Sequence, residues 1–327
     1  MPLGLDMPLA LRVGAQGGLR ERTSPWLPRL YEALFCLVPL AREMQTTIPT
    51  DFVRLGAGTF ATVHVSHFWG TTVVKVAHGA GDGEVVRAEH ETLCELHRAC
   101  DGSELFRLPC PLGCYPDFAA FAADMGLAPG RLGSLPERPM YTMERVWPVP
   151  PGLSARILDA FVPEASRPDA HILLARLYMG MPGPRRMAFF NTENFTLDAD
   201  MVERLGLPAA DIAKGMGRML GLINFAAGKD GRDVEFVLCG DRRNPMGKAG
   251  YACIDFNQVR PHEGDAARIL SSILINDRYY PRPGSRHWEA FAGEYLAVAD
   301  SLGGGELARE VLDGLQQHEV ERAAGTS

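Results

Sequence analysis

Two glycines and a lysine in the first third of the chain have the types and spacing that suit phosphate binding. Gly56 and Gly58 lie between two short apolar runs, and Lys75 stands among valines in the next run. A glycine pair lets backbone N–H groups approach a phosphate with no Cβ in the way, and a lysine adds a positive charge for the same oxygens. The alternative is an ordinary hairpin that contains glycines, because a glycine pattern alone has low specificity.

Lys75 strengthens the phosphate interpretation, because a lysine that points inward from a buried strand needs an anion nearby. Glu89 can supply a permanent partner. It lies four residues before Leu93 and seven before Leu96, so it shares the helix face that would dock on the sheet. Glu91 lies well round the helix from that face, and we expect it to be solvated.

The elements that must position these residues form a small antiparallel sheet. Short apolar runs separated by turn residues predict strands at 52–56, 61–68 and 71–77, with a hairpin turn at Trp69 and Gly70. Helical spacing predicts a helix over 84–99, followed by an irregular segment to about residue 138 and a strand at 140–147. Lys75 would therefore lie on the third strand.

The chain becomes mainly helical after a proline-rich break at 148–152. Helices are predicted at 153–160, 168–178, 208–227, 264–275, 286–301 and 305–323, and short strands at 234–239 and 251–254. The predicted organisation is an extension over 1–50 (a leader, then a helix at 25–46), a sheet-containing unit over 51–148 and a helical unit over 149–327. The fold class is α+β.

Composition narrows the classes of partner. The 327 residues carry 33 basic and 40 acidic side chains, a net charge of −7, which makes nucleic acid an unlikely partner. The seven cysteines do not form the dense, even framework of a small secreted domain, and neither a signal peptide nor a membrane span is apparent. The expectation is an intracellular protein, cytoplasmic or nuclear, without a membrane partner.

Together these residues resemble the protein kinase-like fold, with a small sheet-containing N-lobe and a helical C-lobe. The glycine loop, Lys75 and Glu89 match its phosphate-binding residues, and Val63 lies on the strand after the loop. The resemblance implies that residues 141–146, which include Glu144, form the strand and hinge that meet adenine. It also implies ATP and Mg²⁺ as cofactors, with Asp255 in the string 254–257 (IDFN) as a metal ligand.

More narrowly, four strings are similar to a fungal kinase-like family catalogued as a domain of unknown function. They are 189–195 (FFNTENF), 233–238 (DVEFVL), 254–258 (IDFNQ) and 276–283 (NDRYYPRP). That family supplies no acceptor substrate, so the partner remains an unknown acceptor or an unknown protein.

The chain departs from this pattern at the catalytic loop, where His-Arg-Asp and the later Asn of true kinases are absent. Asp230 and Glu235 are five residues apart, which is the separation of that Asp and Asn. Asp230 or Asp233 would then be the base, and Glu235 a second metal ligand, since Mg²⁺ accepts carboxylate oxygen. Alternatively, these charges only solvate a loop.

Two functions follow from these expectations. The first is an ATP- and Mg²⁺-binding protein that transfers phosphoryl to an unknown hydroxyl acceptor. The second is a catalytically inactive pseudokinase that acts as a regulatory or protein-interaction module. A zinc-binding regulatory protein, built on Cys94, His97, Cys100, Cys110 and Cys114, fits less well because no Cys-x-x-Cys pair is present.

Overall fold

The apolar runs predicted between residues 52 and 77 form adjacent antiparallel strands in the computed structural model of the chain. The structure describes residues 52–66, 70–100, 105–126, 135, 137–167, 171–180 and 191–325. The described residues all belong to one compact unit, Ile48–Ser327. The predicted leader and the helix at 25–46 lie outside the described residues.

The first sheet has five strands in the spatial order β1-β2-β3-β6-β5, and every neighbouring pair is antiparallel. Its strands are β1 (Phe52–Ala57), β2 (Ala61–Ser66), β3 (Thr72–Ala77), β5 (Pro111–Tyr115) and β6 (Met140–Glu144). Four of them confirm the predicted positions. β5 lies in a segment that was predicted to be irregular, so that prediction is wrong at these residues. The strand pairs with a shift in register between Pro111 and Gly113, which interrupts the regular alternation of a strand.

Helix α1 (Gly83–Ala99) packs against β3, β5 and β6. It buries Val86, Glu89, Leu93 and Leu96 on one face. The predicted docking face is confirmed, and Glu91 is exposed on the other side of the helix.

The second sheet also has five strands, in the order β4-β10-β9-β7-β8. Its strands are β4 (Phe106–Arg107), β7 (Leu174–Tyr178), β8 (Asn194–Asp198), β9 (Glu235–Gly240) and β10 (Ala249–Ile254). The pairs β4–β10 and β7–β8 are parallel, and the other pairs are antiparallel.

The predicted helix at 168–178 is wrong over its described residues, because Leu174–Tyr178 forms a central strand. Ala175 and Leu177 alternate with less buried neighbours, which is the period of a strand. The same apolar residues also fit a helix, and only pairing with β8 and β9 selects the extended form.

The remaining helices are α2 (Phe118–Asp124), α3 (Pro151–Phe161), α4 (Ala199–Arg204), α5 (Ala209–Gly221), α6 (Ala266–Ile275), α7 (Trp288–Ser301) and α8 (Gly305–Gly325). A π-helical turn, Leu222–Ala226, extends α5. Helices α5 and α7 approach closely at Gly217. A Cβ at this position would collide with the carbonyl oxygen of Phe291, so the approach requires glycine.

The α+β class is confirmed, and so are the helices predicted at 153–160, 208–227, 264–275, 286–301 and 305–323. Across the described ranges, no helix is both long enough and apolar enough to cross a membrane.

Candidate functional site

Lys75 and Glu89 form a buried ion pair where helix α1 docks on the first sheet. The Lys75 Nζ lies 2.5 Å from the Glu89 Oε1, and the two side chains are 13% and 4% exposed. Tyr141, on β6, is buried beside this pair and interacts electrostatically with Glu89. Burial raises the pKa of Glu89, and the neighbouring Lys75 opposes this rise. The spacing argument therefore identified two side chains that the structure does bring together.

Asp255 approaches the same lysine from the second sheet. It follows the end of β10, and its Oδ1 lies 3.7 Å from the Lys75 Nζ. Its backbone has a φ of 66°, in the left-handed region that is uncommon for residues other than glycine. The Asp255 Oδ1 and the Asn257 Oδ1 are both buried without a hydrogen-bond partner among the described residues. Such orphaned oxygens are costly unless a ligand satisfies them.

Gly56 lies near the end of β1, where it pairs with Val63, and Gly58 lies in the turn between β1 and β2. Neither has a positive φ, and a Cβ at Gly56 would meet nothing within 4 Å. A Cβ at Gly58 would meet only the Ala61 carbonyl oxygen, at 3.9 Å. Neither backbone conformation nor packing in the free protein therefore requires glycine at these positions.

A cavity of about 210 Å³ is lined by residues of both sheets. Gly56, Gly58, Val63, Lys75, Glu89, Glu235 and Asp255 line it, so seven of the predicted site residues share one cavity. The apolar part includes Tyr141, Met143 and Val146, which belong to the segment expected to meet adenine.

Glu144 is not part of this cavity lining. Its carboxylate lies 2.9 Å from Arg107 and 2.9 Å from Arg242. Its backbone N–H donates to the Cys110 carbonyl oxygen. In the free protein this side chain is thus engaged in an ion-pair network between the strands.

Glu235 and Asp233 both interact electrostatically with Asp255. Burial is the main cause that raises the pKa of Glu235 to about 7; the charges of Asp255 and Asp233 add to it, and Arg176 opposes it. Arg176 lies 2.6 Å from the Glu235 carboxylate. Burial, followed by the charge of Asp255, also raises the pKa of Asp233. Arg176 was missed from the sequence because it lies in the segment predicted to be helical.

Asp230 and Asp233 have different surroundings. Asp230 is buried, and its Oδ1 accepts hydrogen bonds from the backbone N–H groups of Arg232 and Arg260, at 3.1 and 2.9 Å. Asp233 has a φ of 62° and accepts a 2.5 Å hydrogen bond from the Gln258 side chain. Asp230 therefore holds the loop in shape, whereas Asp233 interacts with the acids of the cavity.

Three oxygen-bearing side chains near Lys75 are of the chemical type that Mg²⁺ accepts. Asp255 and Asn257 carry the two orphaned oxygens, and Glu235 adds a carboxylate in the same cavity. Over the described ranges, no three acidic, histidine or cysteine side chains form a ready-made metal group. Mg²⁺ does not require one, because it is commonly held by one or two carboxylates together with waters and substrate phosphates.

One family model matches residues 253–306; the family is DUF3669, described as "Zinc finger protein". The match covers less than a fifth of the chain. A search of curated proteins finds no match.

The matching family is not a kinase-like one, so the recognition of a protein kinase-like family, including the narrower fungal family, is wrong. Short glycine, lysine and acidic motifs follow from the chemistry of phosphates and metals, and therefore occur in unrelated chains.

The residues do not fit the zinc that the family description implies. Residues 253–306 contain one cysteine and two histidines, whereas structural zinc is bound by four Cys or His side chains. Burial raises the pKa of Cys253 well above its usual value, and both ring nitrogens of His262 already have hydrogen-bond partners. The cysteines at 94–114 also form no metal group within the part of the chain that the structure describes.

Proposed function

We propose that the cavity binds a nucleoside triphosphate together with Mg²⁺, and that two lobes, each built on one sheet, enclose this ligand. The division near residue 148 holds except for β4, which comes earlier in the chain and pairs with the second sheet. One observation carries the proposal: Lys75 lies between two carboxylates, and the nearer oxygen of one of them, Asp255, is buried without a hydrogen-bond partner among the described residues. The Lys75 ammonium can bind a phosphate oxygen, and the Asp255 carboxylate beside it can bind a metal ion. This pair therefore suits a ligand that carries both phosphate and metal.

The phosphate part of the ligand would lie between Lys75 and the glycine turn. Glu89 holds the Lys75 ammonium in place, so little side-chain entropy is lost when a phosphate oxygen binds to it. Gly56 and Gly58 leave open space where side chains would otherwise lie. That space would let a phosphate approach the backbone of the turn, where the Gly58 N–H donates to the Ala61 carbonyl oxygen in the free protein.

The metal part would be held by Asp255 and Glu235, with Asn257 as a neutral oxygen donor. When bound, Mg²⁺ neutralises phosphate charge and orients the phosphate oxygens. The pKa of Glu235, about 7, means that a cation must displace a proton from part of the population near neutral pH. Binding should therefore strengthen as the pH rises.

The base of the nucleotide would occupy the apolar end of the cavity, against Val63, Tyr141, Met143 and Val146. Buried apolar contact supplies affinity there, and polar groups at the other end fix the orientation.

In phosphoryl transfer, an acceptor hydroxyl oxygen would form a bond to the terminal phosphorus while the bond to the leaving diphosphate oxygen breaks. The hydroxyl proton would pass to Asp233 or Asp230. Asp233 is the better supported base, because burial and Asp255 raise its pKa, whereas the Asp230 Oδ1 already accepts two backbone hydrogen bonds.

A second candidate is a regulatory module that binds nucleotide without transferring phosphoryl. The observation that favours it is Asp230, which stands at the position expected for the base but stabilises its own loop.

Thermal unfolding with and without MgATP tests the common part of both candidates. Ligand at 100 times its Kd should add about 2.7 kcal/mol to the free energy of unfolding. The Asp255→Asn variant should lose the Mg²⁺-dependent part of this gain, whereas Glu91→Gln, on the exposed face of α1, should retain it. No gain for the parent protein would refute the proposed nucleotide site.

ADP production with a panel of hydroxyl acceptors then separates the two candidates. Turnover that Asp233→Asn removes, with MgATP binding intact, supports transfer with Asp233 as base. MgATP binding without ADP production for any acceptor supports the non-catalytic module.

A further inference from the structure

We propose that a second pocket, formed by Arg232, Arg260 and Arg268, binds a phosphate or carboxylate group of the acceptor. The identification of the ligand as an acceptor rests on the proposed function. The presence of an anion site does not, because it follows from the charges of the pocket itself.

The three arginines converge although they are far apart in sequence. Together with Asp230, Gln258 and Pro261 they line an open pocket of about 470 Å³. Arg232 belongs to the loop before β9, Arg260 to the segment after β10, and Arg268 to the first turn of α6. Three positively charged side chains line one concave surface, so an anion bound there would interact favourably with all three.

The positive charges are only partly balanced. Neither Arg232 nor Arg260 forms an ion pair with a carboxylate among the described residues. Arg268 lies 3.4 Å from Glu263, and Asp230 supplies the negative charge within the lining. The lining therefore carries three positive charges against one negative charge.

Free donors remain on these guanidinium groups. Arg232 uses its Nε on Gln258, at 3.3 Å, and Arg268 uses its NH1 on the Pro261 carbonyl oxygen and on Glu263. Arg260 donates from its NH1 to the carbonyl oxygens of Asn257 and Val259. Since a guanidinium has five N–H donors, each arginine keeps donors for a bidentate contact with phosphate or carboxylate.

Gln258 connects this pocket with the candidate catalytic group. Its side-chain oxygen accepts from Arg232, and its side-chain nitrogen donates to Asp233. Asp233 in turn interacts electrostatically with Asp255, which lines the nucleotide cavity. An acceptor anchored on the arginines would therefore lie near Asp233, which one bridging side chain connects to Arg232, and its hydroxyl could reach the base.

Calorimetric titration of the full chain with inorganic phosphate, at constant ionic strength, tests the pocket. Arg232→Gln combined with Arg260→Gln should raise the Kd for phosphate at least tenfold. Arg98→Gln, an exposed arginine on α1, is the charge-matched control and should leave the Kd within twofold. Lys75→Met tells the two cavities apart, because phosphate bound in the nucleotide cavity would depend on Lys75.

Absence of saturable phosphate binding to the parent would overturn the proposal. Loss through Lys75→Met alone, or equal loss in Arg98→Gln, would do the same. If the double variant does not fold, as judged by its thermal unfolding, Arg232→Gln with Arg268→Gln replaces it. Phosphate binding that requires the arginines, in a protein that fails to respond to MgATP, would retain the anion site and refute the proposed function.

Discussion

The two halves of the candidate site differ in how their charges are balanced. On the first sheet, Lys75 and Glu89 form a close buried pair beside Tyr141. Around the second sheet, burial and then the charge of Asp255 raise the pKa values of Asp233 and Glu235, and the Asp255 Oδ1 has no hydrogen-bond partner among the described residues. The first half is complete without a ligand, whereas the second would be stabilised by a cation.

This difference has an energetic meaning. A buried ion pair contributes little to the net free energy of unfolding. Removal of one partner nevertheless destabilises the protein strongly, because it leaves the other charge buried and unpaired. Acids that repel each other impose a cost in the free protein that a cation removes on binding. We therefore expect substitutions in the first half to destabilise the protein, and substitutions in the second half to alter its response to pH and Mg²⁺.

The largest effect is expected for Lys75→Met. It should lower the free energy of unfolding by about 3 kcal/mol at pH 7.5, because it leaves Glu89 buried without its cation. The loss should be smaller at pH 5.5, where Glu89 can bind a proton. Loss of a charge-assisted contact with phosphate should also weaken MgATP binding by roughly 2 kcal/mol, about thirtyfold in Kd.

The double variant Lys75→Met with Glu89→Gln separates these two effects. It should recover most of the stability without recovering nucleotide binding. Chemical denaturation and calorimetry measure the two quantities. If Lys75→Met alone were as stable as the parent at pH 7.5, Lys75 and Glu89 would not form a pre-formed buried ion pair.

The second effect concerns the pH dependence due to Glu235. Its pKa is about 7 in the folded chain and near 4.5 in the unfolded chain, so the folded state binds the extra proton between these values. The contribution of Glu235 to stability is therefore lost as the pH rises from 4.5 through 7. Since one pKa unit corresponds to about 1.4 kcal/mol, the change is roughly 3 kcal/mol at most.

Glu235→Gln removes this titration. The variant should gain stability relative to the parent between pH 5 and pH 8, as measured by urea unfolding at each pH. The difference between Glu91→Gln and the parent should stay flat over the same range. A flat difference for Glu235→Gln as well would contradict the raised pKa and the comparison that depends on it.

The smallest effect is expected at the glycine turn. Gly56→Ala and Gly58→Ala should change the free energy of unfolding by less than about 1 kcal/mol, because a methyl group has space and restricts the unfolded chain. Both should nevertheless weaken MgATP binding several-fold if phosphate approaches the backbone there. Gly152→Ala, at an equally open position in α3, should leave binding unchanged. Equal binding by all three variants would contradict phosphate contact at the turn.

Local patterns predicted the first half of the site well. The helix period placed Glu89 with Leu93 and Leu96, and the strand pattern placed Lys75 where that helix docks. Such patterns depend on neighbours three or four residues away, so they are readable in one sequence.

The second half could not be resolved in the same way. Asp230, Asp233 and Glu235 occupy six residues of one loop and strand, and their spacing alone left their roles open. A positive φ at Asp233 and backbone hydrogen bonds to Asp230 separate the two aspartates in the structure. Family recognition also failed here, since the matched family is not kinase-like.

The sequence by itself determined the α+β class, most of the helices, and the pairing of Lys75 with Glu89. The reason is that the spacing of apolar residues a few positions apart specifies which face of a helix or strand is buried. Only the tertiary structure decided that residues 174–178 form a strand, that Arg176 meets Glu235, and that three distant arginines share a pocket. The physical reason is that the interactions of a charged side chain depend on its burial and on the residues that folding brings near it. The spacing of residues along the chain does not specify either.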